Sequence, residues 1–255
     1  MVSQPFSASA LLVPHVDVLR AVHHASVYLN RPEDEAAGQL NLDVFGFFQV
    51  AGQLAIERKD SEVTLNDGVT SDDPLKAKAA TVLSVDVLTL GGSGLDAFAG
   101  VNGGTEQRMG LALKDVNFGL ALMTERLPNN STAMAREFTT LKATAGELAF
   151  VGLDGVEASA SDLMVEINRG IPGTGATRDV VVDYSGVQLE VMAGSAGQTM
   201  VLDTDGSVGE LTRAAGNVKL DLFGFVSLSG NLAFESSERS VKLFGGETVA
   251  TDALL

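Results

Sequence analysis

The sequence predicts an all-β chain, an elongated repeat array of long bent strands that is β-solenoid-like or a wrapped β-sandwich. Three observations carry that expectation. Residues 36–65 (AAGQLNLDVFGFFQVAGQLAIERKDSEVTL) return without a gap as residues 214–243 (AAGNVKLDLFGFVSLSGNLAFESSERSVKL), with 14 of 30 positions identical, where unrelated chains share roughly two or three. In both copies the even positions are apolar or glycine, a period of two that puts one face of a strand in a core. The 28 glycines and the Asn/Asp-Gly signals punctuate the chain every few tens of residues, as strand-and-turn architectures require.

The duplication divides the chain into three parts: a non-repeat segment, 1–35, one repeat unit of 178 residues, 36–213, and the start of a second unit, 214–255, truncated in mid-repeat. Residues 16–29 (VDVLRAVHHASVYL) fit a helix or strands, and residues 31–35 (RPEDE) form a polar turn. Residues 40–56 then alternate without a break, as do 218–234. Seventeen residues at about 3.3 Å each would run roughly 56 Å, so the strand is expected to bend, with Gly46/Gly224 and Gly52/Gly230 allowing a bend or a close backbone approach.

Farther on, Asn66-Asp67-Gly68 and residues 71–74 (SDDP) signal turns, and residues 80–90 read as a strand. Residues 91–94 (GGSG) and 95–104 read as a glycine-rich surface loop; a phosphate cradle would need a Lys-Ser/Thr and a following helix, which are missing. In residues 111–123 the apolar positions change from odd (Leu111, Leu113) to even (Val116, Phe118), which predicts a bulge near Asp115. Residues 124–136 form a polar loop; its Asn130-Ser131-Thr132 matches a glycosylation acceptor of a kind that arises easily by chance. Residues 141–168 hold two or three strands, with a turn at Asp154-Gly155 and a second phase change near Asp162. A loop at 170–175, strands at 179–192 and 199–202, and a tight turn at 203–206 (DTDG) complete the unit. Residues 240–255 faintly echo the region after the first copy, so an open strand edge and a longer tandem array are expected.

Composition narrows the chemistry. With 17 Lys+Arg against 33 Asp+Glu, the formal charge of −16 repels nucleic acid and anionic membrane surfaces. Zero cysteines excludes disulfides, thiol catalysis and Cys-ligated metals. Residues 1–14 lack the basic n-region of a signal peptide, and no segment approaches 18 uninterrupted apolar residues, so no membrane-spanning helix is expected.

The three histidines, His15, His23 and His24, lie outside the repeated unit. Neighbouring His23 and His24 point in different directions on a helix or a strand, which suits solvent or packing roles rather than a shared metal. A Ser-His-Asp site inside the unit is therefore excluded. Asp43/Asp221 and Glu57/Glu235 recur in both copies, as solvated residues or as an acid-base pair; a glycosidase cleft would want more aromatics than Tyr28, Tyr184 and an absence of Trp provide. No catalytic, cofactor or metal residue is assigned. Calcium is the most reasonable ion, because Asp203 and Asp205 place oxygens at i and i+2 of a turn, although the EF-hand continuation is missing. Phe45, Phe47, Phe223 and Phe225 interrupt the polar positions: they are buried if a second layer covers them and exposed if they serve a partner or the stacking of units.

Residues 42–57 (LDVFGFFQVAGQLAIE), 88–104 (LTLGGSGLDAFAGVNGG), 110–123 (GLALKDVNFGLALM) and 141–168, with the return of LDLFGFVSLSGNLAFE, resemble tandem repeats of very large bacterial secreted or surface proteins, described as adhesin-like, haemagglutinin-like or LEPR-XLL-type giant proteins. The resemblance covers residues 36–255 and brings no catalytic residues. It implies an extracellular or cell-surface location and a rod or adhesive role, with neighbouring repeat units of the same chain and a cell-surface or glycan ligand as partners. The expectation is thus a non-catalytic structural or adhesive segment; the alternative is a β module binding glycan, calcium or, in an open apolar groove between long antiparallel strands, lipid. A pair of β-sandwich domains joined near residue 214 is the competing architecture.

Overall fold

The computed structural model describes residues 24–27, 35–68, 78–173, 180–195, 197–242 and 248–254. They are all-β: β1 (His24–Val27), β2 (Glu35–Val44), β3 (Phe48–Thr64), β4 (Val82–Val101), β5 (Met109–Glu125), β6 (Glu137–Val151), β7 (Val156–Ile171), β8 (Leu189–Met192), β9 (Thr199–Leu202), β10 (Leu211–Leu222), β11 (Val226–Lys242) and β12 (Thr248–Leu254), with a 3-10 turn at Gly206–Val208. Ten strands form one sheet in the order β1-β2-β3-β4-β5-β6-β7-β10-β11-β12, and β8 and β9 form a separate pair. Every pairing is antiparallel. The sheet is a meander whose turns at 45–47, 102–108, 152–155 and 223–225 all lie at one end, here the tip; the other end is the base.

The 40–56 run is not one bent strand. It is a hairpin, with Val44 paired to Phe48 and Leu40 to Gly52. Phe45 (φ 52°) and Gly46 (φ 67°) are both left-handed, as in the I′ turns whose twist suits hairpins. The Phe47 N–H donates to the Val44 carbonyl at 2.9 Å, and Asp43 Oδ1 accepts from the Gly46 N–H at 2.7 Å. The second copy repeats this: Phe223 (φ 54°) and Gly224 (φ 70°), Phe225 to Val44's counterpart Leu222 at 2.9 Å, and Gly224 to Asp221 Oδ1 at 2.9 Å. Period-two alternation passes unchanged through such a turn, because both arms keep their even residues on one face. The recurring aspartates are therefore turn-closing acceptors.

The glycine-rich segment after residue 90 is also not a loop. β4 runs through it to Val101. Gly91 lies where a Cβ would run into the Met192 carbonyl oxygen, so glycine here serves the close approach of a second backbone over a strand. Of the expected strand 179–192, residue 179 lies outside the described residues; among 180–192 Leu189–Met192 forms a strand and Val182 makes an isolated bridge to Leu65. Residues 180–195 and 197–210 otherwise fold back as a cover over the base half of one sheet face, with β8 and β9 against β4, β5 and β6.

Beneath that cover is the core: Val63, Leu65, Leu83, Val85, Val87, Ala121, Met123, Phe138, Val182, Tyr184, Val191 and Leu202. A buried polar chain ties cover to sheet. Tyr184 Oη donates to Thr140 Oγ1 (2.9 Å), Thr140 to Asn168 Oδ1 (3.2 Å), and Asn168 Nδ2 to the Val182 carbonyl (2.8 Å). Burial pushes the Tyr184 phenol well above its ordinary pKa despite the Thr140 hydrogen bond, so it stays a neutral donor at all working pH values. Asn66 stitches a second seam, accepting from the Val181 N–H and donating to the Gly206 carbonyl.

Both expected phase changes are bulges. Asp115 (φ 50°) and Asp162 (φ 51°) are left-handed, as is Gly94 (φ 55°) in β4. Register slips between Ala51 and Gln53 against β4, between Gly92 and Leu95 and again by Ala97 against β5, and between Ala215 and Asn217 against β7, while Asp115 and Asp162 each stand unpaired opposite Gly146 without a change of register, so the bulges line up across the sheet. Glycines on the flanking strands face them: a Cβ on Gly52 would lie 2.7 Å from the Leu95 Cα, and one on Gly216 2.6 Å from Leu163 Cδ2. At residue 214 the sheet continues without a break, since β10 pairs with β7 from Leu211 to Leu222.

Candidate interaction surface

The bulge line has a chemical result. β4, β5, β6 and β7 each carry one surplus residue there, whereas β2, β3, β10 and β11 carry none, and absorbing it keeps the same face apolar on both sides of the bulge line. The cross-strand rows show this: Leu42, Val50, Ala97, Leu113, Leu148, Ala160, Val218 and Gly230 stand side by side on one face. Nearer the base, Gly38, Leu54, Gly92, Phe118, Ala143, Val165, Ala214 and Phe234 form another row. From the tip down to the row Ala36, Ile56, Leu90, Leu120, Leu141 and Ile167, no polar side chain lies on this face in β2–β7, and none down to Ala214 and Phe234 in β10 and β11.

Nothing in the described residues covers that face. Phe48, Ile56, Leu111, Leu228, Leu232 and Phe234 are exposed there, Leu232 by 64%. Eight strands at about 4.8 Å spacing, and nine or so residues along each, give an area of roughly 1,100 Å². The largest apolar patch on an ordinary monomer is about 300–600 Å². At the base the face ends in charged residues: Arg126 reaches Asp60 at 2.8 Å and Asp86 at 3.4 Å, so the rim there is ion-paired.

The opposite face differs. Its base half lies under the cover and its tip half is polar, with Lys114 near Asp96 (3.1 Å) and Lys219 on Glu157 (2.6 Å). A groove of about 310 Å³ opens there, lined by Asp43, Gln49, Asp96, Phe98, Arg108 and Lys114 among others. The Arg108 guanidinium stands 5.7 Å from the centroid of the buried Phe98 ring. Burial raises the Asp96 carboxyl, but the Asp115 N–H and Lys114 outweigh it and hold its pKa below the ordinary value. The groove thus offers fixed charges of both signs beside an aromatic floor.

The residues singled out in the sequence are dispersed. His15 and His23 lie outside the described residues, and His24 falls in β1. Glu57 pairs with Lys59 at 2.8 Å, while Glu235 shares Arg213 with Glu166. Asp203 receives Lys142 Nζ at 2.7 Å, and Asp205 caps the 3-10 turn by accepting from the Ser207 N–H, so the two carboxylates are engaged separately. Among the described residues no group of three or more His, Asp or Glu side chains comes together as a metal-sized cluster. Phe45, Phe47, Phe223 and Phe225 are 53, 59, 63 and 91% exposed, because they sit in tip turns rather than on a strand face. Sequence reasoning missed the groove, since Arg108 and Phe98 are brought together only by the β4–β5 register. Comparison with family models, curated proteins and solved structures found no match.

Proposed function

We propose that the chain is a non-catalytic structural or adhesive repeat segment of a giant bacterial surface or secreted protein, a rod in which successive units share one sheet. The observation that carries this reading is the pairing of β7 with β10. β10 belongs to the second copy of the duplicated hairpin, whose turn repeats the first copy's two closing hydrogen bonds, so the join between copies is strand pairing along β10 from Leu211 to Leu222. A unit ending this way offers an open edge to the next, and each unit adds strands to a common sheet. The test is small-angle scattering on chains carrying one, two and three 178-residue units. The maximum dimension should grow in near-equal steps; a compact particle whose radius of gyration follows a globular scaling would refute the rod.

A second reading, a ligand-binding β module, is favoured by the polar groove. Aromatic floor, carboxylates, an amide and two cations suit a neutral or zwitterionic sugar. A melting shift with oligosaccharides that disappears in Phe98→Ala would support it, and no shift across a glycan panel would remove it.

A further inference from the structure

We propose that the apolar face of the sheet is covered, in solution, by the same face of a second copy of this chain, making a two-layer sandwich across a two-fold axis. The inference stands on the face itself and is independent of the rod reading. A mate for this surface must be wide, apolar and free of charge over roughly 1,100 Å², which exceeds the ~800 Å² per partner of an ordinary stable interface. Among the described residues, the only surface of that composition and size is the face itself. Two-fold pairing is the arrangement in which one patch is its own complement.

The relief of the face supports this. Towards the tip β5 and β6 together present a ridge of Leu111, Leu113, Leu148 and Phe150, continued along β5 by Val116, Phe118, Leu120 and Leu122, while Ala97 and Ala99 of β4 and Ala158 and Ala160 of β7 form low ground on either side of it. Farther over, a hollow of about 160 Å³ is lined almost wholly by apolar residues, among them Ala36, Gly38, Leu54, Ile56 and Leu90. Packed sheets lie about 10 Å apart with inward side chains interdigitated, and ridges set against low ground satisfy that spacing. The rim is right for a protein partner as well: ion pairs such as Arg126 with Asp60 sit at the base edge, outside the apolar field.

Charge decides against a bilayer. A chain of net charge −16 is repelled by an anionic surface, and Arg126, at the edge of the face, already has carboxylate partners. Two copies joined by these faces keep their groove faces, with Asp43, Asp96 and Glu157, turned outward and a sheet thickness apart.

The experiment is sedimentation equilibrium of the full chain, with Leu111→Asp on the apolar face and Ser229→Asp on the opposite face. The expected result is a particle of twice 26.5 kDa for the wild type and Ser229→Asp, and a dissociation constant raised about 100-fold or more by Leu111→Asp. Because the chain has no cysteine, spin labels on Leu111→Cys and Ser229→Cys give a second reading that needs no disruptive charge. The Leu111→Cys label should be immobilised and coupled to its symmetry mate, and the Ser229→Cys label mobile. A wild type monomeric at all concentrations overturns the proposal. So does a monomer that takes up cis-parinaric acid, which would make the face a lipid site, or an open-ended series of oligomers unaffected by Leu111→Asp, which would indicate edge-to-edge growth.

Discussion

Replacing Asn168 by alanine tests whether the cover over the base half is locked by hydrogen bonds or only by apolar packing. Asn168 is fully buried, and its side chain accepts from Thr140 Oγ1 at 3.2 Å and donates to the Val182 carbonyl at 2.8 Å. Removing it deletes two neutral hydrogen bonds, worth about 1 kcal/mol each, and leaves the buried Val182 carbonyl without its donor, which costs about 1 kcal/mol more. The expected loss is about 3 kcal/mol. Tyr184 reports on it directly, because the chain has no tryptophan and only two tyrosines; in a Tyr28→Phe background, its fluorescence follows urea unfolding of the cover alone. Tyr184→Phe removes one donor at the other end of the chain and should cost about 1 kcal/mol. The two changes should couple by at least about 0.5 kcal/mol in a double-mutant cycle, since Thr140 is their shared partner. A loss below about 1 kcal/mol for Asn168→Ala, or strict additivity, would mean that apolar packing alone fixes the cover.

Three further outcomes are expected. Gly224→Ala should cost about 1 kcal/mol, for placing a Cβ at φ 70° with open space around it, whereas Gly46→Ala should cost more, because its Cβ would also meet the Gly103 carbonyl oxygen at 3.1 Å; equal losses in urea titrations would contradict the geometry. Gly91→Val drives side-chain atoms into the Met192 carbonyl, so the cover should lift and residues 180–210 should become the first site of limited proteolysis, with a stability loss of about 3 kcal/mol. At Asp67, burial raises the carboxyl, but Lys78 and the Thr81 N–H and hydroxyl prevail and lower the pKa to about 2. A depressed carboxyl stabilises the fold above its unfolded value and loses that contribution as pH falls from about 4 towards 2. Asp67→Asn should therefore flatten the acid limb of the stability curve in that window, and parallel curves for the two proteins would show that Asp67 contributes nothing to it.

Much of the strand architecture was legible because its rules are local. Alternation in residues 141–168, the Asp154-Gly155 turn and the two bulges follow from counting parity, since a surplus residue in a strand of period two must be absorbed by a bulge if the apolar face is to continue. The hairpin at 45–47 was not legible as a turn. Parity survives it, and Phe-Gly-Phe lacks the Asn-Gly signal, since a phenylalanine at φ 52° is a choice that β-propensity argues against. The glycines at 91–94 misled for a related reason: in sequence a glycine needed for a close backbone approach looks like one needed for flexibility, and only the Met192 carbonyl above Gly91 separates the two. The apolar face was visible strand by strand as even positions. That the rows of eight strands fall on the same side depends on the register of seven pairings, which no single strand encodes.

The aligned bulges bear on how units would join. In β4 the surplus residue Gly94 faces Gly52 of β3, and in β7 the surplus Asp162 faces Gly216 of β10, each glycine making room for a leucine, Leu95 or Leu163. Gly52 and Gly216 belong to the duplicated stretch, and their counterparts are Gly230 and Gly38. Gly230 has nothing within 4 Å of a built Cβ, because β12 pairs with β11 only from Ser236 to Lys242. If a following unit extended β12 as β4 extends beside β3, its own surplus residue would fall opposite Gly230, and the leucine in the place of Leu95 would fill the space. With Leu111→Asp in both chains to keep the apolar face free, a chain lengthened by one complete unit should then tolerate Gly230→Val poorly, losing about 2 kcal/mol or more, whereas the present chain should accept it within about 0.5 kcal/mol, the range of an exposed strand site. Equal tolerance in both lengths would show that successive units do not share the bulge line.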